Sequence, residues 1–351
     1  MITVKSLFSA LLRIRRWKKA VWNCSTDFPY SFSTKVKWAR KGFSINEYIW
    51  YGLEHNDYRD YISEFERLES RDINGDFKFI LDNKLVFEEV YGKYARVPKN
   101  YAMISDGEVY SLHGSRVDND RFAEFLRSAG RTILKWTDRG GGAGTYLLEE
   151  KDGALLINGE EATPEKIEKL RKRKGEAMLC EYVEQSAFAA SLYPHTTNTM
   201  RIVCARKKGE REYKIVAAVQ RIGCKASIPV DNISYGGMTC GIDLETGELS
   251  HAIAKLGVME RRMKPFTSHP DTGEQIAGKV IPGWSQLKED IITLTEKTPY
   301  LNFVAWDVLL TEDGFCIIEG NASSGCGMFQ MERGIRNDLL GDIYRSYGVI
   351  S

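Results

Sequence analysis

The stretch LNFVAWDVLLTEDGFCIIEGN, residues 301–321, leaves a chain few ways to fold. Two apolar runs flank a Glu-Asp-Gly turn signal, the pattern of a β-hairpin. If Glu312, Asp313 and Gly314 form a three-residue loop with Gly314 at the left-handed position, Thr311 faces Phe315. Counting back then sets Asp307 opposite Glu319, and strand alternation puts Asn321 on the same face. The neighbours Val304, Ala305, Val308, Leu309, Ile317 and Ile318 are apolar, so the strands read as buried on both sides. Two like charges opposite each other in a buried sheet repel. A cation between them removes the conflict. Two carboxylates and an amide oxygen are hard ligands suited to Mg2+, with phosphate oxygens completing the octahedron. A four-residue loop would put the acids on opposite faces, and an exposed hairpin would leave them solvated; the apolar neighbours weigh against the exposed form.

A second stretch, LKWTDRGGGAGTYLL at 134–148, sets Lys135 ahead of five small residues, Gly140 to Gly144. A Walker loop needs its lysine after the glycines, and a dinucleotide-binding loop needs its glycines to open a helix. Here TYLLEE continues as strand, so the pattern is a strand-loop-strand flap. Gly141, Gly142 and Gly144 allow backbone N–H groups to approach an anion without Cβ interference, and Lys135 supplies a point charge for phosphates. Taken alone, the stretch reads equally well as a hairpin with a surface lysine.

The remaining pattern is mixed. The first 75 or so residues read as helical, with apolar residues at three- and four-residue spacing across 45–70. Hairpins are expected at 101–112 around Asp106-Gly107, at 198–223 and at 301–321, and strands at 131–136, 145–150 and 178–183. A helix over 163–175 starts with Thr163 as cap and Pro164 at its first position, and a last helix fits 332–347. Strands and helices without regular alternation predict an α+β fold in at least two lobes. The expected divisions are a basic helical region at 1–80, a smaller lobe at 81–177 and a core at 178–351.

Hydrophobic content of 43% and charged content of 28% are those of a soluble globular chain, and no apolar run approaches the roughly 20 residues of a membrane helix. SLFSALL at 6–12 precedes its basic residues and lacks a cleavage site, so no signal peptide is expected. The seven cysteines have no metal-type spacing and read as reduced thiols in a cytoplasmic protein. Residues 1–41 carry ten Lys or Arg against one Asp, although the net charge is only +1. RIRRWKKAVW at 13–22 interleaves bases with aromatics, which suits an anionic membrane surface, an acidic partner or a plain solvated helix face. Nothing points to nucleic acid, and nothing sets an oligomeric state.

Lysine before glycines, then a hinge strand, then Asp…Glu-x-Asn on a hairpin resembles the ATP-grasp superfamily, over roughly residues 80–340. The stretches LDNK (81–84), LCEYVEQ (179–185), NTMRIV (198–203), QRIG (220–223), VDNISYGGM (230–238), HPDTG (269–273) and IPGW (281–284) are similar to the branch called sugar-transfer-associated ATP-grasp, found beside cell-surface polysaccharide genes. Residues 198–238 also resemble glutamate-ligase-type members. The resemblance implies two α+β lobes clasping ATP. It puts Lys84 and Lys135 on the phosphates, Glu181, Tyr182 and Val183 at adenine, and Glu184 at ribose. Asp307, Glu319 and Asn321 would hold Mg2+, as two ions, with Mn2+ an alternative. Arg201, Arg221 and Asn232 would face phosphate or a carboxylate substrate. Many members begin with a Rossmann-like domain; here a helical, basic extension stands in its place.

The implied chemistry is that of a ligase. A small-molecule carboxylate takes the γ-phosphoryl group as an acyl phosphate, and an amine or other nucleophile displaces phosphate, joining an amino acid or other acid to a sugar or peptide. A kinase acting on a hydroxyl and a non-catalytic ATP-binding module are the alternatives. His195 and His269 are candidate substrate contacts, although isolated histidines are usually structural. Cys326 follows the metal-binding acids and reads as a buried, inert thiol.

Overall fold

The structure, a computed structural model, describes residues 4–26, 28–112, 116–118, 121–137, 144–254 and 264–350. The chain begins with α1 (Val4–Trp17), α2 (Phe32–Arg40), α3 (Ile45–Trp50) and α4 (Glu64–Glu69). The periodicity across 45–70 predicts continuous helix, but the structure breaks it. Helix α3 stops at Trp50, Gly52 takes a φ of 58°, and a short 3-10 turn at Tyr58–Asp60 intervenes. Ser63 then opens α4 with a capping box to Glu66, as Ser44 does for α3 with Glu47. The apolar spacing belongs instead to an aromatic cluster of Trp38, Phe43, Tyr51 and Tyr61.

From Ile62 onward this region is part of the core. Asn74 donates its amide to the Phe303 carbonyl at 2.6 Å and accepts from the amides of Asn302 and Phe303 at 2.8 and 3.1 Å. Helices α5 (Phe79–Asp82) and α6 (Lys84–Tyr91) follow.

An antiparallel sheet of eight strands comes next: β1 (Asn100–Ser105), β2 (Glu108–Ser111), β3 (Arg116–Val117), β4 (Thr132–Trp136), β5 (Thr145–Lys151), β6 (Ala154–Ile157), β7 (Glu160–Glu161) and β8 (Glu176–Glu181). Its spatial order is β3-β2-β1-β8-β4-β5-β6-β7. The β1–β2 turn uses Asp106 and Gly107 at φ of 48° and 87°, the left-handed pair that a tight hairpin needs. Helices α7 (Phe122–Ala129) and α8 (Pro164–Arg171), the latter capped by Thr163 as expected, cover one face. They pack Leu126 and Ile167 on Ile104, Leu134, Trp136 and Leu179. Alternation therefore turns Lys135 to the other face.

The second sheet orders β13-β12-β11-β10-β9-β14-β15. Its strands are β9 (Met200–Ala205), β10 (Lys214–Ile222), β11 (Met238–Ile242), β12 (Leu249–Ala254), β13 (Lys264–Phe266), β14 (Phe303–Thr311) and β15 (Gly314–Asn321). Strand β14 is buried at every position, because both faces are covered. On one side lie α5, α6, α9 (Ala187–Leu192) and α10 (Trp284–Glu296), with Phe87 and Tyr91 against Trp306. On the other lie Ile62 and the C-terminal α11 (Leu339–Ser346), with Tyr344 against Phe303.

Three expected boundaries move. Residues 81–91 pack on the second sheet rather than in the smaller lobe, and β8 lies inside the first sheet, so the chain changes sheets after Glu181 and not at 177. The last helix starts at Leu339, not 332, since the preceding segment docks on the 58–60 turn. The Arg336 amide donates to the Asp60 carbonyl at 2.9 Å, and a Cβ on Gly334 would meet that carbonyl oxygen at 2.0 Å.

Candidate nucleotide and metal site

The β14–β15 register pairs Asp307 with Glu319 and Ala305 with Asn321, as the hairpin argument requires. The route differs. Thr311 faces Gly314, so the loop has two residues rather than three, and a bulge at Ile318 restores the acids to opposition.

Strand β9 extends the row, with Arg201 paired to Asp307. The Arg201 Nε donates to one Asp307 oxygen and its Nη2 to the other at 3.0 Å, while Nη1 reaches Ser324 Oγ at 3.1 Å. From β10, Arg221 Nη1 donates to Asp307 at 2.9 Å and Nη2 to Asp231. Asp231, buried, also accepts from the Thr199 amide and hydroxyl, each at 2.7 Å. The arginines expected to face phosphate or substrate thus converge on Asp307. Asp231 and Ser324, which hold them, escape a sequence reading because their partners lie 10 and 123 residues away. Asn232, singled out instead, accepts from the Ser234 amide at 2.7 Å and opens a short 3-10 turn.

Burial raises the Asp307 carboxyl; Arg201 and Arg221 oppose that rise and the Glu319 charge adds to it. Burial also acts on Glu319, but Lys84 and Lys135 outweigh it and hold that carboxyl below its usual range. The pair therefore divides its charge unevenly, a state that a hard divalent cation between them relieves. Asn321 donates its amide nitrogen to the Ala305 carbonyl at 3.3 Å, which leaves its oxygen as the ligand atom. Among the described residues, no group of three or more His, Cys, Asp or Glu side chains forms a separate cation site.

The two lysines come from different sides: Lys84 from α6, packed on the second sheet, and Lys135 from β4 of the first. Lys84 is the first residue of α6, whose N-terminus Asn83 caps by accepting from the amides of Leu85 and Val86 at 3.1 Å. Its Nζ lies 3.3 Å from Glu319, which raises the Lys84 ammonium. Lys135, in mid-β4, makes no ion pair among the described residues, yet its charge bears on both Glu319 and Cys180. Both amines thus bear on Glu319. Gly144 closes the base of the flap at a φ of 73°, beside Trp136. Gly141 and Gly142 lie outside the described residues.

Glu181 ends β8 with its carboxylate on Arg96 at 3.2 Å and on the Lys99 amide at 3.3 Å. Tyr182 and Val183 follow β8, with Val183 buried and Tyr182 partly so. Arg131, also missed, lies 3.9 Å over the Tyr182 ring and pairs with Glu184 at 2.7 Å.

The remaining candidates separate clearly. His269 is structural: buried, stacked on Tyr193, its Nε2 donates to the Gly223 carbonyl at 2.9 Å and its Nδ1 accepts from the Asp271 amide at 3.1 Å. His195 is exposed beside Tyr193. Burial pushes the Cys326 thiol up to about 12, which makes it inert.

Several solved structures are similar to the chain at low identity. A D-alanine–D-alanine ligase from Bacillus anthracis with ATP is 11% identical, over 77% of this chain and 62% of that one, with a TM-score of 0.34. D-alanyl-alanine synthetase A from Vibrio cholerae is 10% identical, over 76% and 65%, at 0.43. An N5-carboxyaminoimidazole ribonucleotide synthetase with ADP is 12% identical, over 89% and 60%, at 0.39. The chain thus spans about three fifths of the length of these structures. No curated protein matches it. The profile described as sugar-transfer associated ATP-grasp matches residues 66–341, a span that contains both sheets and every candidate from Lys84 to Asn321, and the chain belongs to that family.

Proposed function

We propose that the protein is an ATP- and Mg2+-dependent ligase that joins a small carboxylic acid to an amine through an acyl phosphate. The observation that carries this reading is the Asp307–Glu319 pair facing Lys84, with Arg201 and Arg221 behind it. Asp307, Glu319 and Asn321 would hold Mg2+, as two ions in the full reading; when bound, Mg2+ draws charge from the phosphate oxygens. Lys84 and Lys135 offset the charge of the phosphates, and the Tyr182–Val183 backbone positions the base. A substrate carboxylate oxygen bonds to the γ-phosphorus as the bond to the β-phosphate oxygen breaks, and ADP leaves. The amine nitrogen then bonds to the acyl carbon, the carbon–oxygen bond to phosphate breaks, and the ammonium's protons pass to phosphate and solvent. Arginine suits the planar carboxylate, which one of the two guanidiniums can grip once a cation takes over Asp307.

The family description supports a role in cell-surface polysaccharide or envelope synthesis, with a sugar or peptide as one partner. The free cysteines, mostly buried, support a cytoplasmic setting. Among the described residues no helix is long and apolar enough to cross a membrane. Helix α1 supports peripheral contact instead. Arg13 and Arg16 tie it to Glu69 and Asp72 at 2.7 and 2.5 Å, while Leu11 and Ile14, on the other side, are 57% and 61% exposed beside Arg15 and Lys18. Apolar residues edged by bases suit an anionic lipid surface. Leu11→Glu with Ile14→Glu is expected to abolish sedimentation with anionic vesicles; equal sedimentation of both proteins overturns this contact.

The decisive experiment crosses a set of carboxylic acids with a set of amines and follows ADP and phosphate by coupled assay and the product by mass spectrometry. Phosphate release that needs both acid and amine supports the ligase. A stable phosphorylated alcohol means a kinase, and nucleotide binding without turnover means a regulatory module.

A further inference from the structure

The polar row does not end at Arg221. Arg221 pairs across the sheet with Thr239 on β11, and Thr239 pairs with Ile253 on β12. Paired residues share a face, so Thr239 and Ile253 continue the face that carries Arg201 and Asp307. Over this part of the sheet lies an open cavity of about 670 Å3, lined on its far side by residues of the segment 328–340. That volume suits one small-molecule ligand.

Three observations describe what the cavity takes. Its floor and roof are apolar, with Val219 and Ile253 below and Met328 and Phe329 above. Its rim is acidic: Asp243, Glu248 and Glu332 line it, while the Arg333 guanidinium is tied to Asp338 at 2.8 Å. Glu332 also takes His251 Nε2, from β12, at 2.9 Å. Finally, Thr239 is 3% exposed, and among the described residues its hydroxyl oxygen has no partner. A buried hydroxyl left unpaired is unusual, and this one lines the cavity at the end nearest Arg221.

We propose that this cavity is the nucleophile subsite and that it takes a primary amine carried on an apolar body. The inference rests on the ligase reading. The acid rim disfavours a carboxylate here and draws an ammonium inward. The carboxylic substrate keeps to the side of Arg201 and Arg221, whose guanidiniums grip it once a cation takes over Asp307. Thr239 Oγ1 accepts a hydrogen bond from the nitrogen, which sets the nucleophile beside Arg221 and therefore next to the carboxyl carbon it attacks. The body of the molecule lies between Val219 and Phe329.

The test uses binding alone, without nucleotide, so that it succeeds or fails apart from turnover. Hexylamine, phenethylamine and glucosamine are titrated by saturation-transfer NMR and calorimetry, each beside the compound with hydroxyl in place of the amine. The expected result is at least one amine bound about tenfold more tightly than its alcohol. Glu332→Gln, at an exposed rim position, removes most of that preference, and Thr239→Val, close in shape, weakens the amine about threefold or more while melting temperatures hold. Amines bound no better than alcohols, or a preference that survives both substitutions, overturns the proposal. In that event the ligase reading stands or falls on its own acid-by-amine screen.

Discussion

The two sheets contribute opposite halves of the site by opposite means. The first is covered by α7 and α8 on one face, and Lys135 stands on the other, without an ion partner among the described residues. The second is covered on both faces, and its buried charges Asp231, Arg221, Asp307 and Arg201 form one network that ends on Ser324. A buried charge persists only when paired and hydrogen-bonded. The acids can therefore be held ready for a cation without a cation being present. On the proposed reading, Lys135 would need no such support, because its counter-charge would arrive with the ligand's phosphates. The first sheet spends its residues on reach, the second on rigidity.

The largest effect that would break this comparison is at Asp307. Asp307→Asn should lower turnover by about 1,000-fold or more, since the cation loses a ligand charge. It should also cost about 3–5 kcal/mol of stability, because two guanidiniums lose their buried counter-ion. Glu319→Gln should match the loss of turnover with little loss of stability. Steady-state ADP release and urea unfolding measure the two separately. If both variants keep near-normal rates, the second sheet is not the metal-holding half.

Lys135→Met sharpens the contrast. ATP affinity should fall about 10- to 100-fold, the worth of a charge-assisted contact, while the melting temperature stays put. Lys84→Met should weaken ATP similarly and also lower the melting temperature slightly, because Glu319 loses its partner; the pair is about one third exposed, so the loss stays under about 1 kcal/mol. Identical behaviour of the two variants in nucleotide titrations and melts would erase the distinction between the lysines.

Much of this was legible in the sequence, and for stated reasons. Strand alternation is local, so Lys135 could be set against Leu134 and Trp136 by pattern alone. The Asp307–Glu319 pairing came out right although the loop is one residue shorter than the turn signal suggests; the bulge at Ile318 supplies the missing step. Hydropathy does not report bulges, because Ile317 and Ile318 are both apolar whichever one pairs. The break in 45–70 was hidden for a related reason: aromatic residues packed into a cluster mimic the spacing of a helix. What stayed out of reach was the arginine network. Arg201 and Asp307 are 106 positions apart, and only the β9–β14 pairing brings them together. An arginine that neutralises an acid and one that awaits a substrate look the same in a sequence.

The smallest effect concerns acid. Lys84 and Lys135 depress the Glu319 carboxyl in the folded protein. A carboxyl depressed on folding contributes stability above its unfolded value, about pH 4, and that contribution is lost as pH falls toward the folded value. Glu319→Gln has no such group to titrate. Its melting temperature should therefore fall less than that of the parent between pH 5 and 3, by a few degrees at most for a partly exposed pair. Lys135→Met should behave between the two, since it removes one of the two charges that depress Glu319. A parent and a Glu319→Gln variant that lose stability in parallel would mean that Lys84 and Lys135 do not depress Glu319 in the folded protein. The two sheets would then be electrostatically independent until a nucleotide joins them.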